Sequence, residues 1–339
     1  MSTDAITAAR ALAARPAVDP KGFETAAAAG LSVDPAWPRT GGWPADSGQE
    51  VDLALVGIPV SQTSLSPTNA HETPAAIRAA LRRYSGHAVT EGAPGARGDE
   101  AELILEEALR IVDAGDLHDP DSEAGERAAT EAVAELARRA QLVVALGGDN
   151  SLTVPAALGV YGDELGTAGL ITLDAHHDLR DGRSNGSPVR RLVEAGLDPR
   201  RIVQIGIADF ANSRAYRQRA KDLGITVIHR DELHDRPLRD IVAESLEIAG
   251  AAGGPIHVDL DVDVCDRSVV PACPASIPGG IQAHELRRFA RLFAEDPRVR
   301  GIDLAEIDAT ADSADGRTVR LAALCVLDAA VGLAHRLQR

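Results

Sequence analysis

Short apolar runs recurring between longer stretches of helical periodicity constrain this chain more than any other feature. The runs at 51–60, 142–146, 169–173, 201–207, 226–229, 255–263 and 299–307 are brief, continuous and dominated by Val, Ile, Leu and Ala. Such runs read as strands buried on both faces. Helical stretches alternate with them at 73–84, 123–139, from 154 onward, and at 188–195, 213–223, 238–249, 284–293 and 318–337. The first opens on Thr73-Pro74, with proline where a helix tolerates it best. Strands alternating with helices build βαβ units, so the pattern predicts an α/β fold with a mainly parallel sheet covered by helices on both sides. Residues 85–100 read as an exposed loop, leading through Leu103–Leu105 to a further short run at 111–116.

Ordered patterning begins at Val51. Residues 1–50 read as an N-terminal extension, partly loop, with an Ala/Arg-rich helix near its start and Trp37 and Trp43 available to anchor it. No composition break follows, so 51–339 is expected to be a single domain. Only 3% of residues are aromatic, which leaves the core to aliphatic side chains. A net charge of −16 argues against a nucleic-acid partner. No phosphate-binding glycine loop follows the first strand. Three cysteines make no disulfide framework, and a cytoplasmic location is expected. No uninterrupted apolar run reaches the length of a bilayer span, so no membrane association is expected.

The chemistry gathers where the strands end. In parallel sheets, ligands collect at the carboxyl ends of strands. Four such ends carry Asp149 and Asn150; Asp174, His176, His177 and Asp178; Asp259, Asp261 and Asp263; and Glu306 and Asp308. Carboxylates pressed together repel, and divalent cations relieve the repulsion. Residues two apart on a strand share a side, so Asp174, His176 and Asp178 form one converging set and Asp259, Asp261 and Asp263 another. An exposed polar edge strand is the alternative for either set. Mixed carboxylate and imidazole ligands suit Mn²⁺, Fe²⁺, Ni²⁺ or Zn²⁺ better than Ca²⁺. No cysteine lies inside the clusters, which argues against structural zinc. Cys265 and Cys273, beside the second set, read as small packing residues. A two-metal site of this kind implies hydrolysis.

At this point a family resemblance becomes specific. Gly147-Gly148-Asp149-Asn150-Ser151, Asp174-Ala175-His176-His177-Asp178, Asp259-Leu260-Asp261 and Glu306 together resemble the arginase, agmatinase and formimidoylglutamase family of ureohydrolases, over roughly 51–335. The resemblance implies a three-layer α/β/α fold with about eight strands, two Mn²⁺ ions, and a homo-oligomer, trimer or hexamer. It implies Asn150, Asp174, His176, Asp178, Asp259 and Asp261 as metal ligands, with Asp174 and Asp259 bridging. Asp178 would also orient the bridging hydroxide that attacks, and Glu306 would hold the amidine or guanidine of a small-molecule substrate.

Two departures bear on that substrate. Asn150 stands where most of the family has histidine, as in some formimidoylglutamases. Asn185 stands where arginases carry a proton-shuttling histidine; His177 or His71 could substitute, although both also read as polar lining. Arg180, Arg183, Arg190 and Arg191 follow the metal motif in an otherwise acidic chain. Arginine forks carboxylates, so Arg180 and Arg183 in particular are candidates to read an acidic substrate, whereas Arg190 and Arg191 fit a solvated helix face equally well. The expected reaction is therefore N-formimino-L-glutamate plus water to L-glutamate and formamide, in histidine breakdown. The alternatives are a urea-releasing hydrolase of agmatine or a guanidino acid, and a non-catalytic metal-binding relative.

Overall fold

The computed structural model describes residues 31, 34–90 and 101–338. The helix expected near the start of the chain and residues 91–100 of the expected loop lie outside them.

In chain order the strands are β1 (Val51–Ile58), β2 (His87–Thr90), β3 (Ala101–Ile104), β4 (Ile111–Asp116), β5 (Ala140–Gly147), β6 (Gly169–Leu173), β7 (Ile202–Ile207), β8 (Thr226–His229), β9 (Ile256–Asp261) and β10 (Val299–Ala305). The helices of eight residues or more are α1 (Thr73–Leu81), α2 (Glu123–Ala137), α3 (Thr153–Tyr161), α4 (Pro188–Ala195), α5 (Arg214–Leu223), α6 (Leu238–Ala249), α7 (Ala283–Ala294) and α8 (Arg317–Leu337).

Eight strands form one sheet in the order β4-β1-β5-β10-β9-β6-β7-β8, with every neighbouring pair parallel. The continuous apolar runs explain why both faces are covered. Along β1, Leu53 and Leu55 enter one apolar cluster while Ala54 and Val56 enter the other. The first cluster is completed by α1, α6, α7 and α8, and the second by α2, α3, α4 and α5, which makes the three layers. Leu53 and Leu55 are fully buried, and truncating either to alanine should cost about 2–5 kcal/mol. Local signals start the helices where the pattern places them. Ser122 caps α2 by accepting from the Gly125 N–H, Ser213 caps α5 through Tyr216, and Pro188 occupies the first turn of α4.

Two expectations change. The loop expected over 85–100 contains β2, which pairs antiparallel with β3, so Val89 lies opposite Glu102. The strand expected to reach Asp263 stops at Asp261, and Val262–Val264 form a 3₁₀ turn. Helix α8 is long and apolar enough to cross a membrane by length and composition alone. It is instead buried against α1 and α7, the environment of a core helix. Of the two tryptophans, Trp43 enters the core, whereas Trp37 stays half exposed beneath the Arg39 guanidinium.

The carboxyl ends that carry the acidic motifs belong to β5, β10, β9 and β6, four consecutive strands at the centre of the sheet. Residues more than 150 positions apart in the chain are thereby brought to one edge.

Candidate active site

Two glycines let the strand ends close on one another. A Cβ on Gly147 would meet the Leu304 carbonyl oxygen at 2.0 Å, and one on Gly148 would meet the Val60 carbonyl oxygen at 2.0 Å. Only glycine permits so close a backbone approach. The Gly148 carbonyl then accepts from the Glu306 N–H at 3.0 Å, and the Asn150 N–H donates to Glu306 Oε1 at 2.8 Å. Glu306 and Asp178 both hold positive φ, +63° and +52°. This conformation is strained for residues with side chains, and such strain concentrates at functional positions.

Asp174, His176 and Asp263 each bring a ligand atom within 4.8 Å of the others, and Asp261, Asp263 and Cys273 do the same. His176 Nδ1 lies 2.7 Å from Asp263 Oδ2 and 3.4 Å from Asp174 Oδ1. The Asp263 contact is not aligned as a hydrogen bond, and Asp174 Oδ2 is buried with no partner. Lone pairs that are buried, convergent and unpaired are what a cation would satisfy. The charges point the same way. Burial, followed by the charges of Asp178 and Asp263, pushes the Asp174 carboxyl well above the ordinary range. Burial and then Asp263 do the same to Asp261. Burial alone would lower His176, but Asp263 and neighbouring carboxylates raise it to about 10. Burial lifts Asp178 to about 7. So many acids press on one point that a divalent ion fits the donor set.

Asp263 therefore takes the place expected of Asp259. The Asp259 side chain sits within β9, opposite Asp303 on β10 and Thr172 on β6, and does not line the site cavity. Burial and then the Asp303 charge raise its pKa well above the carboxylate range. The physical reason is the early end of β9. The turn after Asp261 carries Asp263 over the edge, where its Oδ1 accepts the Ala175 N–H at 2.8 Å and its own N–H is held by Asp261 Oδ1 at 2.8 Å. Asn150, expected as a neutral metal ligand, is occupied differently. Its Nδ2 donates to Asp178 Oδ2 at 2.7 Å and its Oδ1 accepts from Thr153 Oγ1 at 2.9 Å. An amide has one oxygen, and here it faces the helix rather than the acids.

Beside these acids opens a cavity of about 300 Å³, lined by His176, Asp178, Asp261, Asp263 and Glu306. Burial and the Asp149 charge raise Glu306 to about 8. Asn185 Nδ2 donates to Glu306 Oε1 at 2.6 Å, while Asn185 Oδ1 accepts from the Leu65 N–H. Asn185 thus pins a loop and a carboxylate together. Arg180 also lines the cavity; its guanidinium lies 6.0 Å from the Tyr216 ring and makes no ion pair among the described residues. Arg183, expected beside it, is instead paired with Glu126 on α2 at 3.0 Å, and Arg191 pairs with the same carboxylate. Arg190 pairs with Glu194 on its own helix. These three arginines hold the loop to the scaffold. His177 turns away from the cavity, its Nδ1 on Gln204, and His71 is exposed near Ser61. The sequence pattern placed Asp263 among the converging acids, but the family resemblance passed it over as a ligand in favour of Asp259; Tyr216 was missed as a wall. The available signal for Asp263 was the run of three alternating aspartates, which admits two registers.

Comparison with known proteins agrees with this architecture. The arginase family model matches residues 51–332. A formimidoylglutamase of Halalkalibacterium halodurans is 34% identical over 291 residues, covering 83% of this chain and 87% of that protein. The crystal structure of formimidoylglutamase from Bacillus subtilis superimposes with a TM-score of 0.77 at 30% identity, over 89% of this chain and 93% of that one. A Trypanosoma cruzi formiminoglutamase crystallised with Mn²⁺ shares the fold at 22% identity and a TM-score of 0.73, over 84% and 94%. With a match running from the first strand of the sheet into its last helix, and the acids gathered at its central carboxyl edge, the chain belongs to the arginase family.

Proposed function

We propose that this protein hydrolyses the formimino C–N bond of N-formimino-L-glutamate, giving L-glutamate and formamide. The observation that carries the reading is the polarity of the cavity. Glu306, Asp178 and the neighbouring aspartates line it together with one free arginine, Arg180. A substrate with an amidinium at one end and carboxylates at the other complements both groups. Agmatine, cationic at both ends, would set a positive charge against Arg180. The similarity to formimidoylglutamases over most of the chain supports the same reading.

Two manganese ions would be held by Asp174, His176, Asp261 and Asp263, with Asp263 common to both converging groups, and by Asp178 on the cavity wall beside them. When bound, such ions supply Lewis acidity and a water ionised near neutral pH. Glu306 accepts the amidinium N–H groups in charge-assisted hydrogen bonds and so holds the carbon to be attacked. Asn185 and the Asn150 N–H keep that carboxylate in place. Asp178, steadied by Asn150 Nδ2, would take the proton from the attacking water. The leaving group is the α-amine of glutamate, which would depart with the proton that Asp178 has taken from the water. Arg180 orients the far end through a substrate carboxylate. A cytoplasmic homo-oligomer acting in histidine breakdown fits this reaction.

The test is steady-state kinetics of the manganese-loaded protein with N-formimino-L-glutamate, N-formimino-4-aminobutyrate, agmatine and 4-guanidinobutyrate. The proposal expects the highest kcat/KM with formiminoglutamate and a rise in KM for the butyrate analogue, which lacks one carboxylate. Faster turnover of either guanidine would overturn it.

A further inference from the structure

A second cavity, of about 430 Å³, lies beside the first. Residues 208–213, between β7 and α5, form the partition, and Asn212 and Ser213 line both spaces. Consecutive residues of the metal motif face opposite ways: His176 lines the first cavity and His177 the second. Two side chains in the second cavity are more than nine-tenths buried, yet each has an atom with no partner. They are His177, through Nε2, and Arg230, through Nη1.

The hydrogen bonds define what those atoms can accept or give. Gln204 Nε2 donates to the His177 carbonyl at 2.8 Å, so its Oε1 faces His177 Nδ1 at 2.7 Å. The ring proton of neutral His177 therefore sits on Nδ1, and Nε2 presents a lone pair. Arg230 is anchored by Nη2 to the carbonyls of Asp263 and Val264, at 3.1 and 3.3 Å, which leaves Nη1 as an unused donor. Arg214 and Arg217, one turn apart on α5, also line the space and make no ion pair among the described residues. Asp209, Asp231 and His229 complete the titratable lining. Three arginines against two aspartates leave one positive charge. The cavity thus offers donors for carboxylates, a buried acceptor for an N–H group, and a net charge that a single negative charge would balance.

We propose that this second cavity binds an acidic α-amino acid, with its carboxylates on Arg230, Arg217 and Arg214 and its ammonium on His177 Nε2 and the aspartates. Arg230 also borders the first cavity's wall, because its Nη2 donates to the Asp263 carbonyl. The assignment rests on the second cavity alone and stands whatever reaction the first one performs.

Isothermal titration of the manganese-loaded protein with L-glutamate tests it, using wild type, Arg214→Ala and Arg217→Ala. Neither arginine lines the first cavity, so turnover should be unchanged in both variants. The expected result is a saturable site that at least one variant weakens by about tenfold, the loss of one charge-assisted contact. L-Glutamine should bind this site more weakly than L-glutamate. Binding at the metal centre would persist in both variants and is distinguished by that persistence. No saturable binding, or binding of equal strength in all three proteins, would overturn the proposal.

Discussion

Replacing Asp263 by asparagine tests the placement of the metal centre, with Asp259→Asn as its control. Asp263 is fully buried, and its Oδ2 lies 2.7 Å from His176 Nδ1. Asparagine keeps an oxygen for the Ala175 N–H but removes the negative charge from the point of convergence. Removing one partner of a buried charge assembly costs about 3–5 kcal/mol, or roughly two to four decades in manganese affinity. At a manganese concentration about 100 times the wild-type Kd, ligand binding stabilises the fold by about 2.7 kcal/mol. A hundredfold weaker site leaves about 0.4 kcal/mol under the same conditions. For a chain of 339 residues the unfolding entropy is about 0.7 kcal/mol/K, so the manganese-induced rise in Tm should fall from about 4 °C to below about 1 °C. Differential scanning calorimetry with and without manganese reads this shift, and metal analysis after gel filtration reads occupancy. Asp259→Asn should retain both, because that side chain faces Asp303 within the sheet. The reverse pattern, with Asp263→Asn unaffected and Asp259→Asn depleted, would refute the placement.

Other expectations follow from single contacts. Arg180→Ala should raise KM for formiminoglutamate about tenfold to a hundredfold, from one lost charge-assisted hydrogen bond, with little change in kcat; an unchanged KM would remove Arg180 from substrate recognition. Gly148→Ala should destabilise the protein by about 2–3 kcal/mol in urea unfolding, because its Cβ would overlap the Val60 backbone, which has no rotamer to yield. Burial would raise the Glu126 pKa, but Arg191 and Arg183 outweigh it and lower the value. The stability this pair supplies is present above the ordinary carboxyl pKa and is lost as pH falls through the lower folded value. The stability gap between wild type and Glu126→Gln should therefore be widest near neutral pH and narrow below about pH 4, as followed by thermal melts; a gap that widens on acidification would show the sign to be wrong.

The fold was legible because its strands are short apolar runs closed by Gly, Pro or charge. The expected spans 169–173, 188–195, 226–229 and 238–249 coincide with β6, α4, β8 and α6. In these segments local preference and tertiary burial agree, so one reading suffices. Where two registers were open, local pattern was insufficient. Alternating Asp259, Asp261 and Asp263 look equivalent along a strand, and only the 3₁₀ turn at Val262–Val264 separates the acid inside the sheet from the one beyond it. The arginines failed for a different reason. Glu126 captures Arg183 and Arg191 across 57 and 65 residues, a pairing with no trace in the local sequence. Asn150 holds contacts that its motif does not announce: its amide oxygen accepts from Thr153 on the following helix and its amide nitrogen donates to Asp178. Of the two tryptophans in the Pro- and Gly-rich stretch, either of which could have anchored it, only Trp43 joins the N-terminal segment to the core.

The most direct measurement is the identity of the product. Manganese-loaded protein should be incubated with N-formimino-L-glutamate labelled with ¹³C at the formimino carbon and followed by ¹³C NMR. The label is expected in formamide, with L-glutamate appearing in equal amount and no turnover in Glu306→Ala. Persistence of the labelled substrate, alongside urea release from agmatine or 4-guanidinobutyrate by the same preparation, would contradict the proposed reaction.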